Sequence, residues 1–420
     1  MNVEIFKHII VDNRSLLSRI DLISRAFLWD DALNYVLVGP RQAGKSSLLF
    51  LKMQELIAQG ISEKRLVYIN FDDERLIGMN SQDFDLILQA HAQMNPESPI
   101  LFLDEIQNIP HWENFARRLA NEKIKTYITG SNAKMLSSEI ASTLGGRYAV
   151  KKVFPYSFAE FLNAKNIRYS PDWTFSTEER SRIIQTFNEY FEFGGFPESL
   201  IIREKQNWLS TLYQKIFLGD ICARYQIRNP EALRLLIKKI SESVCQPVAI
   251  NRLAHVLKSA GYPIQTSTAT EYLRYAEESW LIFRIQNYTA KFAEKETIQK
   301  HYFTDNGILK LFLIVPKTKL LENLVALTLK KNVPEGELFF YKKNIEVDFY
   351  LPEKKSAIQV CYSLNDDATR KREIRALISL AKTFEITDLK IITFNEEEII
   401  NDNEFEIKVV PVWKWILEFK

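Results

Sequence analysis

Asn34-Tyr35-Val36-Leu37-Val38-Gly39-Pro40-Arg41-Gln42-Ala43-Gly44-Lys45-Ser46-Ser47-Leu48-Leu49 joins an apolar run, a loop bounded by glycines and the first turns of a helical pattern. A bare GxxxxGK[ST] match arises by chance, but a strand before it and a helix after it supply the context that gives it meaning. Backbone N–H groups must converge on phosphate oxygens, which requires glycine wherever a side chain would block the approach, here Gly39 and Gly44. Lys45 offers a point charge to the β- and γ-phosphates and Ser46 a hydroxyl ligand for Mg²⁺. The helix start adds its own partial positive charge. The phosphate-binding set is therefore Gly39, Pro40, Arg41, Gln42, Ala43, Gly44, Lys45, Ser46 and Ser47.

Working outward, Tyr35–Val38, Leu66–Phe71, Ile100–Leu103, Lys125–Thr129 and Ala149–Phe154 read as short strands. Helical spacing at Ser46–Gln59, Gln82–Gln93 and Trp112–Asn121 separates them. Continuous apolar strands alternating with helices predict a parallel sheet covered on both faces. The third strand ends in Asp104-Glu105, at the carboxyl edge where ligands of such sheets bind. Asp104 is the candidate Mg²⁺ ligand, and Glu105 the candidate base for an attacking water. Two adjacent carboxylates repel unless a cation joins them. Ser131 and Asn132, after the fourth strand, either sense the γ-phosphate or cap the next helix. Arg147, in Leu144-Gly145-Gly146-Arg147, is either an arginine finger, acting in cis or from a neighbouring subunit, or an ordinary surface arginine. Asp72 and Asp73 lie at the same edge as weaker candidates for supporting the metal.

At 420 residues, with 46% apolar and 26% charged residues, the chain is expected to be a globular protein of several domains. A formal charge of +2 excludes a general basic coat for nucleic acid, though not a local patch. Cys222, Cys245 and Cys361 are widely spaced and odd in number, so they read as buried thiols rather than disulfides or a zinc site. The opening MNVEIFKHIIVDNR lacks the form of a signal peptide, and no apolar run reaches bilayer length; a cytoplasmic protein without a membrane partner is expected. His8, His91, His111, His255 and His301 show no metal-ligand spacing.

Beyond Pro155 the pattern is helical to about Tyr225, broken by Phe193-Gly194-Gly195-Phe196-Pro197. Helices at Glu231–Ser243, Ile250–Ala260 and Thr266–Glu278, followed by strands at Trp280–Tyr288 and Ile298–Phe303, have the order of a winged helix. Arg252, Lys258, Thr266, Ser267, Thr268 and Arg274, with Lys291, Lys295 and Lys300 on the wing, could meet phosphates or base edges. Interleaved Glu271, Glu277, Glu278, Glu294 and Glu296 oppose that use. From Leu320 the pattern returns to α/β: a helix at Leu320–Lys330, strands at Leu338–Tyr341, Ile345–Leu351 and Ala357–Tyr362, a helix near Thr369–Lys382 and a strand at Leu389–Phe394.

With these pieces assembled, the chain resembles the prokaryotic AAA-type ATPases of the AAA+ superfamily that carry a C-terminal domain of uncharacterised function. The resemblance rests on GPRQAGKSSLL, YINFDDERL, LFLDEIQNIPHWE, ITGSNAKML, LGGR, FPYSFAEFL, FGGFPE, the segment from Gly219-Asp220 to Arg224-Tyr225, and YFTDNGIL, in that order over most of the chain. It implies ATP rather than GTP, consistent with the lack of an NKxD after the fourth strand. The pattern shifts divide the chain into an AAA-type ATP-binding domain at 1–155, a helical lid at 156–229, a winged helix at 230–315 and an α/β domain at 316–420 that resembles a restriction-endonuclease-like core.

The function expected is Mg²⁺-dependent ATP binding and hydrolysis to ADP, coupled to domain motion and to a DNA or protein partner, or to a second copy of the chain. The alternative is a nucleotide-gated switch or a defence or regulatory scaffold with little turnover. An ATP-dependent nuclease is disfavoured. In active members of the restriction-endonuclease-like fold a helix Glu, a strand Asp and a Glu-x-Lys bind Mg²⁺ and activate water. Here Glu322 and Asp348 match the first two, but Gln359 and Cys361 replace the last pair. Gln is a weaker ligand, and Cys supplies no ammonium to stabilise developing charge. Plasmid and oligonucleotide assays with Mg²⁺ or Mn²⁺ should therefore show no efficient cleavage; robust, Asp348-dependent cutting would contradict this.

Overall fold

The structure, a computed structural model, describes residues 1–17, 19–25, 27–136, 138–402 and 404–419. The chain divides into two compact units, Met1–Pro155 and Tyr156–Lys420.

In the first unit β1 (Asn34–Val38), β2 (Leu66–Asn70), β3 (Ile100–Asp104), β4 (Thr126–Gly130) and β5 (Tyr148–Lys152) form a sheet in the order β2-β3-β4-β1-β5. Every pairing is parallel. Its flanking helices are Lys45–Ala58, Asp85–Met94 and Trp112–Asn121. These are the strands and helices the periodicity predicts, with ends shifted by up to three residues. Tyr35, Leu37, Phe102 and Tyr127 form part of the core beneath helix Lys45–Ala58. Because all strands run the same way, the ends of β1, β3 and β4 share one edge of the sheet. A further helix, Val3–Leu17, was hidden in the N-terminal segment. It buries Phe6, Ile9, Ile10 and Leu17, and Asn13 Nδ2 donates to the Tyr68 carbonyl of edge strand β2 at 3.0 Å.

The second unit contains a nine-stranded mixed sheet. Its strands are β6 (Val248–Ala249), β7 (Ile282–Asn287), β8 (Ile298–Phe303), β9 (Phe339–Lys342), β10 (Glu346–Leu351), β11 (Ser356–Val360), β12 (Asp388–Thr393), β13 (Glu398–Asp402) and β14 (Phe405–Pro411). The order is β13-β14-β12-β11-β10-β9-β7-β8-β6. Helices Pro230–Glu242, Ile250–Ser259 and Thr266–Glu278 precede the β7–β8 ribbon, as the sequence pattern predicts. β7 pairs in parallel with β9, so one sheet runs through the position near residue 315 where the pattern suggests a boundary. Between β7 and β8 lies a short helix, Phe292–Thr297. Lys300, expected on an exposed wing, is instead fully buried on β8, among carboxylates of the same unit. A side chain without solvent access cannot contact phosphates as a wing lysine would. The three cysteines are free thiols and half-buried rather than fully buried.

Two of the quoted motifs, FGGFPE and YFTDNGIL, meet inside this unit. The buried Asp305 carboxylate accepts the backbone N–H of Gly195 and of Gly307, each at 2.8 Å. Asn306 Nδ2 donates to the Phe191 and Leu320 carbonyls, each at 3.0 Å, and Asn323 Nδ2 donates to Asn306 Oδ1 at 2.9 Å. Gly194 closes helix Thr177–Phe193 at φ +74°, where an added Cβ would lie 2.0 Å from the Asp305 carboxylate. Both conformation and space therefore demand glycine. Gly194→Ala should lower stability by roughly 1–3 kcal/mol, read as a lower chemical-denaturation midpoint at unchanged slope.

Candidate functional site

The loop after β1 is shaped by its neighbours. A Cβ on Gly39 would lie 1.9 Å from the Val153 carbonyl oxygen, and the Gly39 N–H donates to the Gly130 carbonyl at 3.3 Å. Gln42 and Gly44 both take positive φ, 58° and 90°, and turn the chain into helix Lys45–Ala58. No side chain caps that helix start. Its first N–H groups therefore remain available to an anion, as an uncapped N-terminus requires. Lys45 is buried, and its ammonium donates to the carbonyls of Gly39 at 3.1 Å and Pro40 at 2.9 Å. It also stands 3.4 Å from Glu105.

β3 delivers the two carboxylates to different surroundings. Asp104 is almost wholly buried, and Tyr68 Oη donates to it at 2.6 Å, as does the Thr129 hydroxyl. Ser46 also hydrogen-bonds this carboxyl group. Burial first, then the charge of Glu105, holds Asp104 above the usual carboxylate range, while the Ser46, Thr129 and Tyr68 hydroxyls act in the other direction. Burial also raises Tyr68, helped by the Asp104 charge, so its hydroxyl stays protonated as a donor. Glu105 lies in the left-handed region at φ 53°, an unusual conformation for a side chain of its length. Burial pushes its carboxyl up, but the Lys45 ammonium, Gln107, Ser131 and the Arg41 charge more than reverse this and hold it below the usual range. Glu105 is thereby kept ionised beside a cation.

The remaining candidates separate. Gln107 Nε2 donates to Glu105 Oε2 at 2.6 Å and approaches Ser131 Oγ at 3.4 Å, so Ser131 joins the cluster. Asn132 instead accepts the Lys134 N–H at 2.8 Å, at the start of a short 3₁₀ turn. Of the two residues at this strand end, Asn132 caps the turn and Ser131 faces Gln107. Arg41 reaches Asp72 at 3.8 Å. Asp73 accepts from Arg75. Arg147 is exposed and its guanidinium lies 3.5 Å from the Gly145 carbonyl, not on Lys45, Asp104 or Glu105.

Tyr68, Thr129 and Gln107 were not singled out from the sequence. A strand tyrosine and threonine look like core, and only pairing of Asn70 with Asp104 across β2 and β3 brings Tyr68 to the acid. Gln107, two residues after the paired carboxylates, was visible as part of the motif but carried no role. Replacing Tyr68 by Phe should cost about 1–3 kcal/mol in thermal unfolding, because buried Asp104 loses a donor without gaining water.

Residues 32–162 match the family described as "AAA domain", and residues 184–319 match a "Domain of unknown function (DUF8612)". The chain is similar to the uncharacterised protein MJ1544 of Methanocaldococcus jannaschii, at 34% identity over 99% of this chain and 96% of that one. It is also similar to an uncharacterised protein of Haemophilus influenzae, at 30% identity over 70% of this chain and 73% of that one. Among solved structures, the Walker-type ATPase PABY2304 of Pyrococcus abyssi overlaps 71% of this chain and 99% of its own. That overlap has 15% identity and a TM-score of 0.40.

Proposed function

We propose that this chain, which belongs to the family of the Methanocaldococcus jannaschii protein MJ1544 and carries an AAA domain at 32–162, binds ATP and hydrolyses it to ADP and phosphate. The observation that carries the reading is the buried Lys45 ammonium between the phosphate-loop carbonyls and Glu105, beside an uncapped helix start. Lys45 has no lasting need for its two carbonyl partners. On arrival of a triphosphate it exchanges them for the β- and γ-phosphate oxygens. The loop from Gly39 to Gly44, with Ser46 and Ser47, cradles the phosphates through backbone N–H groups and hydroxyls.

The hydroxyl of Ser46 and the carboxylate of Asp104 suit a hard divalent cation, which favours oxygen donors, and Mg²⁺ bound there would neutralise charge on the phosphates. The Tyr68 and Thr129 hydroxyls fix the orientation of Asp104. Glu105, held ionised by Lys45 and oriented by Gln107, accepts a proton from the attacking water. Ser131 stands beside Gln107, where it reports the state of the γ-phosphate to the loop after β4.

Arg147 supports the slower of two regimes. A solvent-facing guanidinium bound to its own turn does not neutralise transition-state charge within one chain, so turnover stays low until a second copy or another partner supplies an arginine. The same observation favours the reading in which the chain acts chiefly as a nucleotide-gated switch. Nucleotide state would then be read by the second unit, in which we assign a helical lid at 156–229, a winged helix at 230–315 and a restriction-endonuclease-like part at 316–420. Exposed Arg252, Lys258 and Arg274 support contact with DNA, whereas buried Lys300 takes no part in it.

Multiple-turnover phosphate release tests the reading. Glu105→Gln should lower the rate by on the order of 100-fold or more while the protein retains bound nucleotide. A wild-type rate in Glu105→Gln would contradict the role given to this carboxylate. A rate per chain that climbs with protein concentration would favour an arginine from a neighbouring copy.

A further inference from the structure

Resemblance to a restriction-endonuclease-like fold implies a divalent cation held by Glu322 and Asp348. The residues present do not fit one. The Lys300 ammonium, reaching in from β8, lies 2.9 Å from Asp348 Oδ1, 3.2 Å from Glu346 Oε1 and 3.3 Å from Glu322 Oε1. These are N–H···O distances; a divalent ion draws its oxygens to about 2.0–2.6 Å. An ammonium has three donors, and three carboxylates surround this one.

The other donors at this place are already engaged. Tyr302 Oη donates to Glu322 at 2.7 Å, and the Val360 N–H donates to Asp348 Oδ2 at 3.0 Å. Lys342 pairs with the second Glu346 oxygen at 2.7 Å. Gln359, at the position of the expected acid, is used on β10: its Oε1 accepts the Asp348 N–H at 2.8 Å, and its Nε2 donates to the Glu346 carbonyl at 3.0 Å. Burial pulls the Lys300 ammonium down, but Asp348, Glu322 and Glu346 more than reverse that and hold it well above the usual lysine range. Glu322, Glu346, Asp348 and Gln359 line a cavity of about 910 Å³, and helix Asp367–Phe384 adds Lys371, Arg372, Glu373 and Arg375 to its wall.

We propose that Lys300 is a tethered cation that takes the place of a metal ion among Glu322, Glu346 and Asp348, so that this pocket is metal-independent and becomes a divalent-cation site only when the ammonium is removed. A covalently held charge cannot diffuse away, so the three carboxylates stay together whatever the metal supply. A second cation at the same spot would face Lys300 at close range without water between them. This inference concerns the second unit and stands or falls apart from the ATPase reading.

Mn²⁺ is the probe, applied to the full chain without nucleotide and with Asp104→Asn, so that the phosphate site does not contribute. Binding is read as loss of the free Mn²⁺ resonance in electron paramagnetic resonance, and stability as the thermal midpoint. With Lys300 present, Mn²⁺ should neither bind nor stabilise this pocket. Lys300→Met should lower the midpoint, gain roughly tenfold or more in Mn²⁺ affinity, and regain stability with the metal. That gain should vanish when Asp348→Asn is added.

Lys300→Met/Glu322→Gln, with one uncompensated carboxylate fewer, serves if the single variant does not fold. It should fold and still bind Mn²⁺ through Glu346 and Asp348. A chain that folds only when refolded with Mn²⁺ also supports the proposal. Asp348-dependent Mn²⁺ binding with Lys300 intact would overturn it. So would folded variants without any gain in Mn²⁺ affinity, or failure of both variants to fold even with Mn²⁺.

Discussion

A buried charge survives only where an opposite charge or hydrogen-bonding groups replace water, and the ionised centre of the first unit is arranged around that constraint. Lys45 and Asp104 are both nearly sealed from water, at 3% and 1% exposure. Removing either charge from solvent without compensation would cost several kcal/mol. The compensation depends on topology, since Lys45 follows β1, the carboxylates end β3 and Ser131 follows β4. Parallel pairing of these three strands puts their ends together. If β1 or β3 ran the other way, Lys45 would face no carboxylate. The ammonium rests on two loop carbonyls and on Glu105. The cluster is held together by the ion pair, while the other two partners of Lys45 are neutral carbonyls.

The second unit answers the same constraint differently. Lys300 and its three carboxylates form a closed arrangement in which the cation is part of the chain. Lys45 can exchange partners because two of its three are neutral carbonyls; Lys300 cannot do so as readily, because all of its ionic partners are charged. The contrast explains how one chain can hold two buried lysines of unlike purpose. Asp305 adds a third arrangement, a carboxylate satisfied by backbone N–H groups of Gly195 and Gly307 rather than by a cation. Burial still pushes that carboxyl up to about 6, against the pull of those N–H groups.

Much of the first unit was legible because its signals are local. Apolar runs of strand length, glycines at Gly39 and Gly44, and a carboxylate pair at a strand end all lie within short windows. What stayed hidden was non-local. Tyr68 becomes a partner of Asp104 only through the β2–β3 register, and the helix Val3–Leu17 showed no motif to mark it. Lys300 illustrates the limit best. Its neighbours on β8 place it at wing position, but the parallel β7–β9 pairing carries the ribbon into a larger sheet and turns that lysine toward Glu322 and Asp348. Sequence spacing alone could not show it, because Lys300 and Asp348 are 48 residues apart. Strands β13 and β14 were missed as well; β13 exposes Ile399 and shows no clean apolar alternation, whereas Phe405–Val409 of β14 alternates and was legible.

If Lys45 gives up its loop carbonyls for the phosphates of ATP, calorimetric titration of the intact chain with Mg²⁺ and ATP should show saturable binding at one site per chain. That binding should be lost when Lys45 is replaced by Ala although the fold is kept. Absence of binding by the wild-type chain, or undiminished binding by the folded Lys45→Ala variant, would contradict it.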